Sequence, residues 1–299
     1  MDGPHLICEG PAVAEGPVWC PGSGDDGGTL VFTSVGEGAL SRVQPTTGVV
    51  ELVADTGGGA NGAARAADGG FLVTQNGGLD FSTFGDMFDP LPPPPRFVPS
   101  GLQYVAPAGA VSYVADGITQ APNDLCIAVD GTVYFTDPAG WPPPEHRAGR
   151  VLALAPDGDL RVAADGFWSP NGIALDLDGE TLIVVENGRG VDAGFVRVRV
   201  DGSREPFADG RIGDGCALDV DGRIYMAGGG HRVTVYEPDG RPVEELRLSD
   251  APIPATNCCF GGPDLRTLFV TAAASPGTVH AFTGMPTPGL PLHPWPGPT

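Results

Sequence analysis

The sequence predicts an all-β fold, a six-bladed β-propeller closed by the N-terminal strand pairing into the last blade. Helical patterning is missing: no window of about 12 residues carries a 3.6-residue apolar period free of Gly and Pro. Short apolar runs instead alternate with Asp-Gly, Gly-Gly and Pro-Asp turns, the composition of β-hairpins. Above all, the chain repeats itself.

The repeat is a polar residue, usually Gly, an apolar strand, an Asp-Gly turn and a second apolar strand. It is clearest from Asn171, where Asn-Gly-Ile-Ala-Leu-Asp-Leu-Asp-Gly precedes Thr-Leu-Ile-Val-Val-Glu-Asn. Copies begin at Asn123 and Asp214, and looser ones at Glu15, Asn61 and Thr256. Successive starts lie 46, 62, 48, 43 and 42 residues apart. Further strands follow each pair, such as Arg150 to Ala155 and Leu160 to Ala164. Units of about four strands and roughly 40–50 residues are propeller blades. The sixth unit has only three strands before Met285, and the strand from His5 to Glu9 supplies the fourth. That pairing removes the exposed edge of an incomplete blade. The expected organisation is one propeller over residues 1–284, with a lid-like insertion at about 77–101, then a Pro-rich tail over 285–299.

Composition narrows the function. The 299 residues include 16 basic and 37 acidic side chains, a net charge of −21. Such a chain repels phosphate backbones and anionic membranes, so neither nucleic acid nor a membrane is expected as partner. All 16 basic residues are arginine, which excludes Schiff-base chemistry and a P-loop lysine. No apolar stretch approaches the ~20 residues of a membrane helix. The start, Met1 to Gly10, shows no basic region followed by an apolar core, so no secretory signal is expected. The six cysteines form no C-x-x-C pair, and most sit in strand-like runs as small buried hydrophobes. A reducing, cytoplasmic location and a monomer or small homo-oligomer are expected.

Equivalent strand starts form a ring at one mouth of a propeller's channel. Here the ring is Glu15, Asn61, Asn123, Asn171, Asp214 and Thr256, every one oxygen-bearing and none basic. Converging oxygens that include carboxylates call for a cation. A hard, all-oxygen set suits one divalent ion, Ca²⁺ first, with Mg²⁺ or Mn²⁺ as alternatives and Zn²⁺ less favoured without His or Cys. Asn and Asp also suit turns and strand starts on their own, so the metal reading rests on the ring as a whole.

The loops after the second strands then wall the pocket: Asn76 to Gly101, Asp137 to Gly149, Asn187 to Gly194 and Gly228 to Arg232. The first carries Phe81, Phe84, Met87, Phe88 and the prolines 92–95, an aromatic lid stiffened by polyproline. The second carries Trp141 and His146, and the last places His231, a candidate general base, near the mouth. Asn61, Asn123, Asp137 and His231 are the expected substrate contacts. There is no G-x-S-x-G, Walker A or H-E-x-x-H motif.

Five segments resemble the senescence marker protein, gluconolactonase and luciferin-regenerating enzyme family of calcium-dependent propellers. They are Glu15-Gly-Pro-Val-Trp, Pro122-Asn-Asp-Leu, Pro170-Asn-Gly-Ile-Ala, Gly213-Asp-Gly, and the long run from Thr256 to Thr271. The resemblance implies a divalent metal held by Glu15, Asn171 and Asp214, with Asn123 helping directly or through substrate. It also implies hydrolysis of a lactone or related small ester. Sugar-lactonase members usually carry an arginine two residues before the Asn of the Asn-Asp pair; here Ala121 stands there, and the Phe-rich lid points to a less polar substrate. In the expected mechanism the metal stabilises charge on the lactone carbonyl oxygen, and Asp214 positions or deprotonates the attacking water. A metal-dependent arylesterase or phosphotriesterase, and a non-enzymatic propeller binding a metabolite or a partner protein, are the alternatives.

Overall fold

A computed structural model describes residues 1–22, 27–80, 90–188, 194–199, 201–209, 212–228, 230–249 and 253–297. Its strands form six four-stranded antiparallel sheets, each blade running outward in chain order. Blade one is β2 (Ala14–Cys20), β3 (Thr29–Ser34), β4 (Ala39–Gln44) and β5 (Val49–Asp55), preceded in the chain by β1 (Asp2–Gly10). Blade two is β6 (Ala60–Arg65), β7 (Phe71–Gln75), β8 (Gly101–Val105) and β9 (Val111–Asp116). Blade three is β10 (Leu125–Ile127), β11 (Val133–Asp137), β12 (Gly149–Leu154) and β13 (Leu160–Phe167). Blade four is β14 (Ser169–Leu175), β15 (Leu182–Asn187), β16 (Gly194–Val198) and β17 (Arg204–Asp209). Blade five is β18 (Cys216–Leu218), β19 (Ile224–Ala227), β20 (Arg232–Tyr236) and β21 (Pro242–Arg247). Blade six is β22 (Ala255–Gly261), β23 (Thr267–Ala272) and β24 (Gly277–Thr283), with β1 as its outer strand. Leu6 lies opposite His280 in that closing pair, so the expected closure by the N-terminal strand is present. No helix occurs among the described residues.

The second strands show why these runs are apolar throughout. Side chains alternate between faces, and each face of a blade packs on a neighbouring blade. Leu182 and Val184 join the core shared with blade three, whereas Ile183 and Val185 join the core shared with blade five. Adjacent Cys258 and Cys259 likewise enter different cores, toward blades five and one. Six such wedges, one per blade junction, hold the ring together by apolar burial.

Polar ties at the inner strands set the register between blades. The hydroxyls of Thr33, Thr74 and Thr136 donate to the carbonyls of Asn61, Asn123 and Asn171, each in the next blade. Thr256 donates to the Ala14 carbonyl at 2.7 Å and pairs with the Thr271 hydroxyl at 2.9 Å, closing blade six on blade one. Its hydroxyl is therefore a blade tie.

The chain beyond Gly284 is no loose appendage. Met285 is buried in the core of blades five and six. The Gly289 and Leu290 N–H groups then donate to the Leu265 and Leu218 carbonyls, both at 2.8 Å. Trp295 is buried against blade two, 5.5 Å from the Tyr104 ring, and exchanges backbone hydrogen bonds with Arg65 and Ala67 at 2.8 Å. The tail is a strap from blade six to blade two. Its prolines lack the N–H needed for a continuous ladder, so isolated backbone bonds and two buried apolar side chains, Met285 and Trp295, anchor it.

Candidate functional site

The ring residues sit at the inner ends of the blades. Their backbones are locked by neighbours: Asp214 N–H donates to the Ala227 carbonyl at 2.8 Å, and the Asp214 carbonyl accepts from Gly172 N–H at 3.2 Å. Asn187 braces the preceding residue, its side-chain amide donating to the Gly213 carbonyl at 2.6 Å and accepting the Gly213 N–H at 2.9 Å. With main chains fixed, side chains are left for chemistry.

Three carboxylates converge there: Glu15, Asp214 and Asp124. Burial, then the Asp214 and Asp124 carboxylates, push Glu15 well above the usual carboxylate range. Burial and then Asp124 raise Asp214, while a side-chain hydrogen bond from Asn171 pulls it back. Burial raises Asp124 to about 7, against the opposing pull of its Asn257 hydrogen bonds. Asn257 Nδ2 donates to both Asp124 oxygens, at 2.9 and 3.0 Å, and the Asn257 side chain also hydrogen-bonds Glu15. These two residues join blade three to blade six and form the floor of the acidic cluster.

Asp124 and Asn257 escape the sequence reading, yet they leave a signal. The residue after the ring position is Gly16, Gly62, Gly172 or Gly215 in four repeats, and Asp124 or Asn257 in the other two. A Cβ on Gly215 would collide with the Asn257 side chain, and one on Gly62 would crowd Asp124. The glycines thus clear space for the two side chains that cross the channel.

The other expected site residues divide. Among the described residues Asn61 and Asn171 each keep a buried amide oxygen without a hydrogen-bond partner, and Asn123 is half-buried on the adjoining strand start. Asp137 is a correction. Its carboxylate is 0% exposed and accepts the Gln120 and Ala121 N–H groups, both at 2.9 Å, and an Arg150 guanidinium N–H. It braces the chain leading to Asn123 and has no exposed surface to offer a substrate. His231 lies in the loop entering β20, and no hydrogen bond links its ring to the carboxylates among the described residues. The aromatic lid residues Phe81, Phe84, Met87 and Phe88 lie outside the described residues; the base of that insertion is held by Arg96 on Asp55 at 2.9 Å and by the Val98 N–H on the Gly77 carbonyl at 3.1 Å.

Among the described residues no three His, Cys, Asp or Glu side chains are placed to hold a metal ion by themselves. A cation at this mouth would need the amide oxygens as well. The donor set fits one: mutually repelling carboxylates, and orphaned amide oxygens of Asn61 and Asn171. Such hard oxygens suit calcium-like ions.

A pH dependence follows for the metal-free protein. Groups whose folded pKa is raised contribute stability at low pH that is lost as pH rises through the folded value. Melting in EDTA is expected to weaken from about pH 4 up to about 7, the value for Asp124. Asp124→Asn should flatten that slope. A slope of opposite sign, or one unchanged in the variant, would mean that burial does not raise the Asp124 carboxyl.

Six four-stranded blades around a channel with an acidic, amide-rimmed mouth define a β-propeller with a polar site on its axis. The chain belongs to the SMP-30/gluconolactonase/LRE-like family, whose sequence model matches residues 13–274. It is 26% identical to a gluconolactonase of Zymomonas mobilis over 87% of this chain and 76% of that protein. It is 28% identical to pentonolactonase XacC of Haloferax volcanii over 91% of this chain and 85% of that one. The crystal structure of regucalcin from Agrobacterium tumefaciens superposes with a TM-score of 0.75 at 20% identity, covering 98% of this chain and 97% of that chain.

Proposed function

We propose that the protein is a divalent-metal-dependent lactone hydrolase acting at the Glu15–Asn171–Asp214 mouth. Relatives named as lactonases along most of the chain support lactone opening. The observation that carries metal dependence is the convergence of raised, buried carboxylates with unpartnered amide oxygens. Ca²⁺ suits this set best.

Glu15 and Asn171 serve to hold the ion. When bound, a divalent cation polarises the ester carbonyl and stabilises charge developing on its oxygen. Asp214 orients the attacking water and accepts its proton on a carboxylate oxygen. Asn61 and Asn123 orient the lactone ring. Asn257 holds Glu15 and Asp124 in place from below. Asn257→Leu is therefore expected to weaken metal affinity about 10–100-fold, as loss of an outer partner does; calcium titration by calorimetry reads it, and unchanged affinity would reduce the Asp124–Asn257 pair to a structural tie.

The named relatives favour a sugar-acid lactone. Ala121, pinned through its N–H by Asp137, offers no guanidinium to substrate hydroxyls, and favours a less hydroxylated ring. All six cysteines are free thiols, in keeping with the cytoplasmic location we propose. The test is metal content, together with hydrolysis of glucono-δ-lactone and alkyl-substituted γ- and δ-lactones before and after chelation. Turnover that disappears with EDTA and returns with Ca²⁺ is expected, with alkyl lactones preferred. Metal-independent turnover would overturn the metal assignment, and a strong preference for gluconolactone would overturn the substrate reading.

A further inference from the structure

The channel continues beyond its acidic floor. Past Asp124 and Asn257 it opens into a cavity of about 490 Å³, within the range of small-molecule sites. Inner strands of all six blades line it, and the wall is dominated by Trp19, Leu125, Ile173, Leu175, Leu218 and Phe260. The far mouth is crossed by Leu290 to His293 of the C-terminal strap, fixed on one side by Leu290 on Leu218 and on the other by buried Trp295. At its rim Leu177 and Leu292 are 49% and 71% exposed. An apolar hollow leading to an apolar rim is poorly suited to water, which needs 2–4 polar partners.

The cavity is separate from the lactone site. Asp124 and Asn257, both buried and joined by two hydrogen bonds, stand between it and Glu15. A substrate in the cavity could not bring its carbonyl to Asp214 without breaking that pair. The charged groups on the wall are of both signs: Asp124 sits at the inner end, Asp176 pairs with Arg197 at 3.8 Å, and Arg65 lines the wall as well, so net charge selects no ion. A carboxylate such as a fatty acid's would lose its hydration to a mostly apolar lining. A strongly hydrated cation would give up its water for an apolar wall.

We propose that the far half of the channel is a second ligand site, taking one compact, neutral, apolar molecule of fused-ring size that enters past Leu177 and Leu292 beneath the strap. The site does not depend on the hydrolase reading, because it shares with the Glu15–Asp214 mouth only the Asp124–Asn257 pair that divides them. N-phenyl-1-naphthylamine is a suitable probe: it is neutral, and it fluoresces when it leaves water. Titration of the full-length protein is expected to saturate at one dye per chain, with no change on chelation or in Asp214→Ala. Cys216→Trp places bulk in the cavity wall, and Leu292→Glu puts a charge on the rim; each should weaken dye affinity by roughly tenfold or more. Leu292 is exposed, so its variant reports even if Cys216→Trp does not fold. Absence of saturable binding, or equal affinity in Leu292→Glu and the parent protein, would overturn the proposal. So would loss of binding in Asp214→Ala, which would put the dye on the acidic face.

Discussion

Asp214→Ala is expected to lower kcat/KM for lactones by on the order of 10³-fold, the scale for removing a group that stabilises or activates at the reacting centre. Bound divalent metal should fall in parallel. The backbone at this position is held by Ala227, Gly172 and the Asn187 brace on Gly213, so the fold should survive. Removing one of three crowded carboxylates also relieves repulsion on Glu15. Metal-free Asp214→Ala should accordingly melt higher than metal-free parent protein at neutral pH. That pairing of lost activity with gained apo stability separates a functional acid from a structural one. Activity retained to within about tenfold would take Asp214 out of the reaction.

Asp137→Ala should behave in the opposite manner, losing stability first. Its carboxylate is fully buried, satisfies two backbone N–H groups and pairs with Arg150. Deletion leaves the Arg150 guanidinium with the Ile118 carbonyl at 2.7 Å as its remaining described partner. Breaking a buried pair from one side costs about 3–5 kcal/mol. Urea unfolding should show a shift of that size, mostly in the midpoint. A loss below about 0.5 kcal/mol together with a raised KM would restore Asp137 as a substrate contact.

The two aspartates read alike in the sequence. Asp214 stands where an inner strand begins and Asp137 where a second strand ends, and both are acids in an acidic chain. What separates them is the partner. Asp137 lies directly opposite Arg150 in the β11–β12 register, whereas Asp214 faces carboxylates and an amide. The register of that hairpin is short-range, so the Asp137–Arg150 pair was within reach of pattern reading. The strap was less legible: proline-rich sequence carries no strand period, and its attachment rests on Met285 and Trp295 finding clefts built by distant blades.

By itself the sequence determined the blades, their number and the closure by β1. These follow from local physics: period-2 alternation, turns that admit positive φ, and a repeat that places equivalent residues at equivalent heights. Only the tertiary structure decided which side chains meet across the axis. Asp124 and Asn257 are 133 residues apart and touch because blades three and six face each other once the ring has closed. No local rule predicts a contact created by closure. The same closure turned six apolar inner strands into one cavity and gave the C-terminal strap a mouth to cross.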